Sequence, residues 1–134
     1  MITQDTCAFY EDHAVYPQFN GVVLDDEEGE RIVAALGNKK ALILQNHGLL
    51  TAANTIESCV HYFIALEKCC QVQLLADAAA GARGEKPILI KNPELEETYK
   101  TVGTLNGGWF SAQPKFQILE ASEGVKFEYK KRQN

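Results

Sequence analysis

The side chain most suited to chemistry in this sequence is the imidazole of His47. Asn46 precedes it and Gly48 follows it, shortly after the apolar run of residues 41–44. In α/β proteins, side chains at the end of a buried strand commonly project into ligand clefts. Glycine permits a tight turn there, and a neutral imidazole is a good zinc ligand. A single His-Gly pair is common, however, so these residues alone favour a structural histidine over a metal ligand.

The other two histidines carry weaker chemical signals. His61 follows Glu57 by one helical turn, which predicts a local hydrogen bond or a contact on a helix surface. His13 follows Glu11 and Asp12, whose negative charge favours a protonated ring, and the polar segment predicts an exposed loop. A metal-ligand role is not expected of His61, whereas a role for His13 in a site stays open.

The four cysteines, Cys7, Cys59, Cys69 and Cys70, show no Cys-x-x-Cys spacing. Three of them fall inside one predicted helix, where Cys59 and Cys70 are too far apart along the axis to form a disulfide. A zinc site or a disulfide framework is therefore disfavoured. The cysteines are interpreted as reduced, buried thiols of a cytoplasmic protein.

Length and charge limit the class of protein. The chain has 134 residues, of which 46% are hydrophobic, so it can form one compact domain with a core. It carries 13 Lys and Arg against 18 Asp and Glu, and the net charge of -5 argues against nucleic acid as a partner. Polar residues interrupt the first segment, and no apolar run approaches the roughly 18 residues of a membrane span. Neither a secretion signal nor a transmembrane helix is predicted.

Strands and helices are predicted to alternate along the chain, which indicates a layered α/β fold. The extended segments are predicted at residues 21–24, 41–44, 49–51 and 87–90. Helices are predicted from Asp25-Asp26 to Gly37, from about residue 55 to residue 80, and from Asn92-Pro93 to Gly103. Residues 105–129 fit either a helix or hairpin strands at 116–118 and 125–129, and the helix is favoured.

An ordered series of short segments around His47 resembles the class II aldolase/adducin family. Residues 44–51, Leu-Gln-Asn-His-Gly-Leu-Leu-Thr, look like the strand and Asn-His-Gly turn of that family. Further similarity lies at residues 2–10, 21–24, 55–58, 66–67, 70–73, 108–110 and 113–114. The resemblance implies a three-layer α/β/α sandwich of the class II aldolase type. It further implies that residues 1–134 form the C-terminal portion of that domain, with the N-terminal part missing.

The resemblance also implies a chemistry for the turn. In the aldolase branch of the family the motif histidine is one of three that bind zinc, which assigns a metal-ligand role to His47. Asn46 and Gly48 are expected to shape the turn and to support that ligand. Such enzymes act on small hydroxy-carbonyl sugars or sugar phosphates, where zinc as a Lewis acid stabilises the enediolate left by carbon–carbon cleavage.

The sequence departs from this pattern in its other ligands. In the family a His-x-His pair supplies the two remaining histidines, and an acidic general base lies nearby. This sequence contains no His-x-His pair, and the acidic base is missing with it. We therefore expect little or no aldolase activity from this chain alone.

A second function is open on the same resemblance. Adducin heads keep the Asn-His-Gly turn while they serve in cytoskeletal assembly, so a non-catalytic, actin-associated binding module is the alternative to an enzyme. Residues 89–94 also resemble adducin heads. The family implies a homo-oligomer, and an uncovered sheet edge would favour association. A His-x-His pair encoded upstream of Met1 would favour the enzyme.

Overall fold

Three short strands form the sheet at the centre of the fold. In the computed structural model, which describes residues 1–22 and 26–124, the strands are β1 (His13–Tyr16), β2 (Ala41–Leu44) and β3 (Gly48–Thr51), in the order β1-β2-β3. β1 and β2 are parallel, and their first residues, His13 and Ala41, lie opposite each other. β2 and β3 are antiparallel and are joined by a tight turn.

Helices make up most of the other described residues. They are α1 (Gln4–Cys7), α2 (Asp26–Leu36), α3 (Ile56–Gly81), α4 (Glu94–Val102) and α5 (Leu105–Glu123). α2 lies between β1 and β2 in the chain, because parallel strands need a long crossover connection. The predicted helices before Gly37 and Gly103, the long helix near residues 55–80 and the helix favoured after residue 105 are confirmed.

One face of the sheet packs against α2. Leu42 and Leu44 of β2 are buried together with Tyr16 of β1. Ile32 and Leu36 of α2 pack against this cluster. Because successive side chains of a strand point to opposite faces, the alternate residues of the same strands must be covered by a different layer.

α3 covers that opposite face. Ala41 is fully buried there, together with Tyr62 and Leu66 of α3 and with Phe9 from the segment after α1. The sheet therefore separates two core clusters, with a helical layer on each side. This layering confirms the α/β fold predicted from the alternation of strands and helices.

α3 is long, and it needs neighbours on more than one side. Its first turn is capped by Thr55, whose side chain accepts a hydrogen bond from the Ser58 N–H. The helix has 26 residues, about 39 Å at 1.5 Å per residue, and its apolar side chains are not confined to one stripe. α5 packs alongside it at Gly108, where a Cβ atom would overlap the ring of Tyr62.

The first strand of the sheet differs from the sequence prediction. Residues 21–22 form a bend rather than a strand, and residues 23–24 lie outside the described residues. The strand that precedes α2 is β1 instead, so the exposed loop predicted at His13 is wrong. Ala14 and Tyr16 are the alternate residues of β1 whose side chains pack towards α2. The acidic residues just before the strand make this apolar alternation difficult to recognise in the sequence.

Two other extended segments also differ from prediction. Residues 87–90 belong to no strand, although the Ile90 N–H donates to the Met1 carbonyl at 2.9 Å. Residues 116–118 lie within α5, so the hairpin alternative is wrong there, and residues 125–129 lie outside the described residues. Among the helices of the described ranges, none is long and apolar enough to cross a membrane.

Candidate functional site

The turn at residues 46–48 projects from the edge of the sheet where β1 and β2 both end. The His47 N–H donates to the Leu44 carbonyl at 3.1 Å and closes the turn. The Gln45 N–H donates to the Tyr16 carbonyl at 3.0 Å, which extends the parallel pairing beyond β2. These two hydrogen bonds attach the turn firmly to the sheet.

Two residues of this turn have backbone conformations that restrict the residue type. Asn46 has a φ of 56°, in the left-handed region that asparagine occupies more readily than most other residues. Gly48 has a φ of 153°, a conformation that residues with a Cβ atom rarely adopt. There is open space beside Gly48, so its backbone conformation rather than packing requires glycine.

His47 is exposed at the tip of the turn, and its ring makes no hydrogen bond within the part of the chain that the structure describes. Across residues 1–22 and 26–124, no three His, Cys, Asp or Glu side chains are grouped so that they could hold a metal ion. Catalytic zinc is held by three protein ligands. The described side chains therefore do not fit a complete catalytic zinc site, and the exposed ring of His47 is open to a ligand from elsewhere.

The other two histidines lie away from this turn. The His13 Nδ1 atom is 2.7 Å from the Phe9 carbonyl oxygen at the start of β1. The ring of His61 packs edge-on against Tyr62, with ring centres 5.2 Å apart, rather than bonding to Glu57. Burial lowers the pKa of His61. The structure therefore does not bring the three histidines together.

All four cysteines are free thiols, as predicted. Cys7 and Cys69 are buried, whereas Cys59 and Cys70 are half-buried, so the prediction of buried thiols holds for two of the four. Burial raises the pKa of Cys69 to about 11 and also raises the pKa values of Cys7 and Cys70. Protonated thiols are weak nucleophiles, so these three do not resemble catalytic cysteines.

A buried ammonium lies at the other end of β2. Lys40 is 4% exposed, and its Nζ donates to Asp12 Oδ2 and to the Gly103 carbonyl, each at 2.7 Å. The Lys40 N–H donates to Asp12 Oδ1 at 2.9 Å, and the Tyr99 hydroxyl donates to Asp12 Oδ2 at 2.8 Å. We call Lys40, Asp12, Tyr99 and Tyr62 the Lys40 cluster. It connects the sheet to α3 and α4.

Aromatic rings enclose the same ammonium. Lys40 Nζ lies 4.7 Å from the ring centre of Tyr62, 5.0 Å from that of Tyr99 and 5.6 Å from that of Phe9. Each distance lies within the roughly 6 Å range of favourable cation–π contacts. Nothing in the sequence separates Lys40 from its neighbour Lys39, whose Nζ donates to a surface carbonyl. Sequence reasoning therefore missed this cluster.

Burial and pairing shift the pKa values of the Lys40 cluster. Burial lowers the pKa of Lys40, and pairing with Asp12 opposes this shift. Burial by itself would raise the pKa of Asp12, but hydrogen bonds from Lys40 and Tyr99 outweigh it and hold that pKa below its usual value. Burial raises the pKa values of Tyr62 and Tyr99 to about 12. The cluster is thus an ion pair of Lys40 and Asp12 beside two phenols whose pKa values lie far above neutral pH.

Fold, turn and sequence similarity together define the family. Residues 1–74 match the family described as "Class II Aldolase and Adducin N-terminal domain". This match covers more than half of the chain, so the chain belongs to the class II aldolase and adducin family. The family predicted from the Asn-His-Gly turn and its surrounding segments is confirmed.

The relatives carry different functional names. L-fuculose 1-phosphate aldolase from Glaciozyma antarctica superposes with a TM-score of 0.78 at 44% identity, covering 96% of this chain and 46% of that one. The "4-hydroxy-3-prenylphenylpyruvate oxygenase/4-hydroxy-3-prenylbenzoate synthase" of Streptomyces roseochromogenus subsp. oscitans is 43% identical over 84% of this chain and 39% of its own. Alpha-adducin of Rattus norvegicus is 32% identical over 78% of this chain and 14% of its own. The chain spans less than half the length of each of these relatives.

Proposed function

We propose that this chain contributes one corner of the metal site of a zinc-dependent aldol lyase, and that the chain alone has little or no lyase activity. The observation that carries the proposal is the exposed, unbonded imidazole of His47 at the edge of the sheet. Asn46 and Gly48 support it, because their backbone conformations present that imidazole at the strand ends. Ligand clefts of α/β proteins lie at this edge of the sheet.

The incomplete set of ligands supports the second half of the proposal. One imidazole cannot supply the three protein ligands of a catalytic zinc. The sequence has no His-x-His pair, and His13 and His61 lie in other contacts. The remaining ligands would have to come from residues other than those that the structure describes.

The proposed substrate is a small hydroxy-carbonyl sugar or sugar phosphate. Similarity to an aldolase named for L-fuculose 1-phosphate supports this class. A cytoplasmic location is proposed with it from the four free thiols. A homo-oligomer is proposed from large apolar side chains exposed on α3 and α5, among them Leu75 and Phe110, which are 71% and 75% exposed.

Zinc binding and turnover test the proposal together. We expect the purified chain to retain no stoichiometric zinc, and we expect added zinc to shift the NMR signals of the His47 ring with weak affinity. His47→Ala should remove this response, and the matched control His61→Ala should retain it. L-fuculose 1-phosphate should remain uncleaved. Tightly held stoichiometric zinc, or cleavage by the chain alone, would show that the site is complete and the proposal wrong.

The alternative is a non-catalytic, adducin-like module that associates with the actin cytoskeleton. Its support is the similarity to alpha-adducin over 78% of the chain, together with apolar side chains that α5 presents to solvent. Co-sedimentation with actin filaments tests it. Binding that survives His47→Ala and is lost in Phe110→Ser would favour the alternative, with Ile88→Ser as an exposed control elsewhere. Absence of co-sedimentation would remove it.

A further inference from the structure

A cavity of about 360 Å³ lies between the sheet, the α1 segment and the middle of α3, away from the turn at residues 46–48. Its wall is mainly apolar and includes Phe9, Ile43, Leu66, Cys69, Cys70 and Leu74. No Asp, Glu, Lys or Arg side chain of the described residues lines it. Ligand pockets of this size are typically apolar with a few polar groups that orient the ligand.

The thiols of this wall behave as apolar groups. Burial raises the pKa of Cys69 to about 11 and raises the pKa of Cys70 as well. Both thiols are therefore protonated near neutral pH and add no charge to the wall. A phosphate or carboxylate would find no Lys or Arg side chain here, although Met1, the first residue of the sequence, also lines the cavity. A sugar with many hydroxyls would lose water and gain few partners.

His13 is one of the polar side chains that line this cavity. Its Nδ1 lies 2.7 Å from the Phe9 carbonyl oxygen, and a carbonyl oxygen can only accept a hydrogen bond. When the ring is neutral, its proton therefore lies on Nδ1, and Nε2 carries the lone pair. Nε2 is thus the ring nitrogen that is available to accept a hydrogen bond from a ligand.

Two neighbouring polar groups of the wall, the Thr6 hydroxyl and the Gln73 amide nitrogen, are already engaged. The Thr6 hydroxyl donates to the Thr3 carbonyl at 2.7 Å, and the same oxygen accepts two backbone N–H groups. The amide nitrogen of Gln73 lies 3.0 Å from a carboxylate oxygen of Asp77. The Gln73 amide oxygen can also accept a hydrogen bond, but that side chain is exposed, whereas His13 is half-buried. His13 is therefore the better protected acceptor for a donor group on a bound molecule.

We propose that this cavity binds a small, uncharged, mainly apolar molecule that donates one hydroxyl to Nε2 of His13, as a simple alkylphenol would. The site is separate from the turn, because His13 opens β1 and pairs with Ala41, whereas residues 46–48 follow the opposite end of β2. The proposal does not depend on zinc or on lyase activity. His47→Ala should leave binding in the cavity unchanged.

The first test compares two probes of nearly the same shape. 4-Propylphenol has the hydroxyl donor, and 4-propylanisole, its methyl ether, lacks it. We expect 4-propylphenol to shift the methyl NMR signals of Ile43, Leu66 and Leu74 but not that of exposed Ile118. The ether should bind about 3- to 10-fold more weakly, which corresponds to one net hydrogen bond. No shift at Ile43 up to the solubility limit, or equal affinity for both probes, would overturn the proposal.

The second test uses variants of the cavity. His13→Asn retains an amide N–H for the Phe9 carbonyl but has no Nε2 atom, so the preference for the phenol over the ether should fall to about one. Leu74 and Leu75 are adjacent and each 71% exposed, but only Leu74 lines the cavity. Leu74→Trp should weaken binding of both probes, and Leu75→Trp should not. Equal loss in the two tryptophan variants, or a preference retained in His13→Asn, would contradict the assignment.

Discussion

The two ends of β2 hold ionisable side chains in opposite environments. Lys40, just before the strand, is 4% exposed, and a carboxylate, a carbonyl and three aromatic rings surround it. His47, just after the strand, is exposed, and its ring makes no hydrogen bond to any residue that the structure describes. The charge of Lys40 therefore connects layers of the fold, whereas the imidazole of His47 faces solvent.

The difference follows from the cost of removing charge from water. A buried ammonium is tolerated only when it is paired and hydrogen-bonded, and Lys40 accordingly donates to a carboxylate and a carbonyl and lies against three rings. An exposed imidazole bears no such cost and keeps its capacity for a ligand. The Lys40 cluster should therefore control stability, and His47 should have little effect on it.

The largest effect is expected from Lys40→Met, which removes the ammonium but retains much of the apolar stem. We expect the free energy of unfolding to fall by about 3 kcal/mol, because Asp12 and the Gly103 carbonyl lose their partner. Urea denaturation measures the change. Lys39→Ala is the matched control and should change stability by less than about 1 kcal/mol. Similar losses in both variants would contradict the contrast between them.

The phenols of the Lys40 cluster predict a loss of stability in alkaline solution. The pKa of Tyr62 is raised to about 12 in the folded state, so its contribution is present below its unfolded value of about 10. That contribution is lost as the pH rises from about 10 towards about 12, and two pKa units correspond to roughly 2–3 kcal/mol. Urea denaturation across this range should show a decline that is smaller in Tyr62→Phe.

Tyrosine absorbance provides an independent check. Of the five tyrosines in the chain, Tyr62 and Tyr99 should ionise only near pH 12 in the folded protein. Ionisation of all five near pH 10, while the protein remains folded, would contradict the buried environment of the cluster.

A smaller effect is expected where Gly108 of α5 contacts the ring of Tyr62 in the Lys40 cluster. Gly108→Ala places a methyl group against the ring of Tyr62, which must shift, and we expect a loss of about 2 kcal/mol. Gly29→Ala in α2 meets open space and should stabilise the protein by about 0.5–1 kcal/mol, because alanine favours helix. Thermal or urea unfolding of both variants measures the difference, and equal effects would be inconsistent with the close contact.

The smallest effects are expected at the exposed turn. Gly48→Ala should cost about 1 kcal/mol, because its backbone has a φ of 153°. His47→Ala should change the free energy of unfolding by less than about 0.5 kcal/mol, since the ring makes no hydrogen bond within the described residues. A large loss of stability in His47→Ala would show that the imidazole belongs to the fold rather than being available to a ligand.

Much of the fold was predictable because local signals agreed with the final structure. The apolar run at residues 41–44 became β2, and Thr55 capped α3 at the predicted start. β1 was not predictable, because its four residues are too few to show a period and acidic residues precede it. Residues 21–22 are apolar enough to suggest a strand, yet no neighbouring strand pairs with them among the described residues.

The candidate functional site also has one part that could be predicted from the sequence and one part that could not. The turn at residues 46–48 was recognisable because asparagine and glycine suit its unusual backbone conformations. The Lys40 cluster joins residues up to 87 positions apart in the chain. No pattern of neighbouring residues indicates that they come into contact. The position of His13 at a cavity also depends on the way α3 crosses the sheet.

The sequence by itself determined the family, the helices α2 to α5, the second strand and the Asn46-His47-Gly48 turn, because each depends on residues close together in the chain. Only the tertiary structure decided which charges are buried and which are presented to solvent. Lys39 and Lys40 are identical in type and adjacent, but only Lys40 lies at the junction of α3, α4 and the sheet. Burial is a property of packing, and packing assembles residues that the sequence keeps far apart.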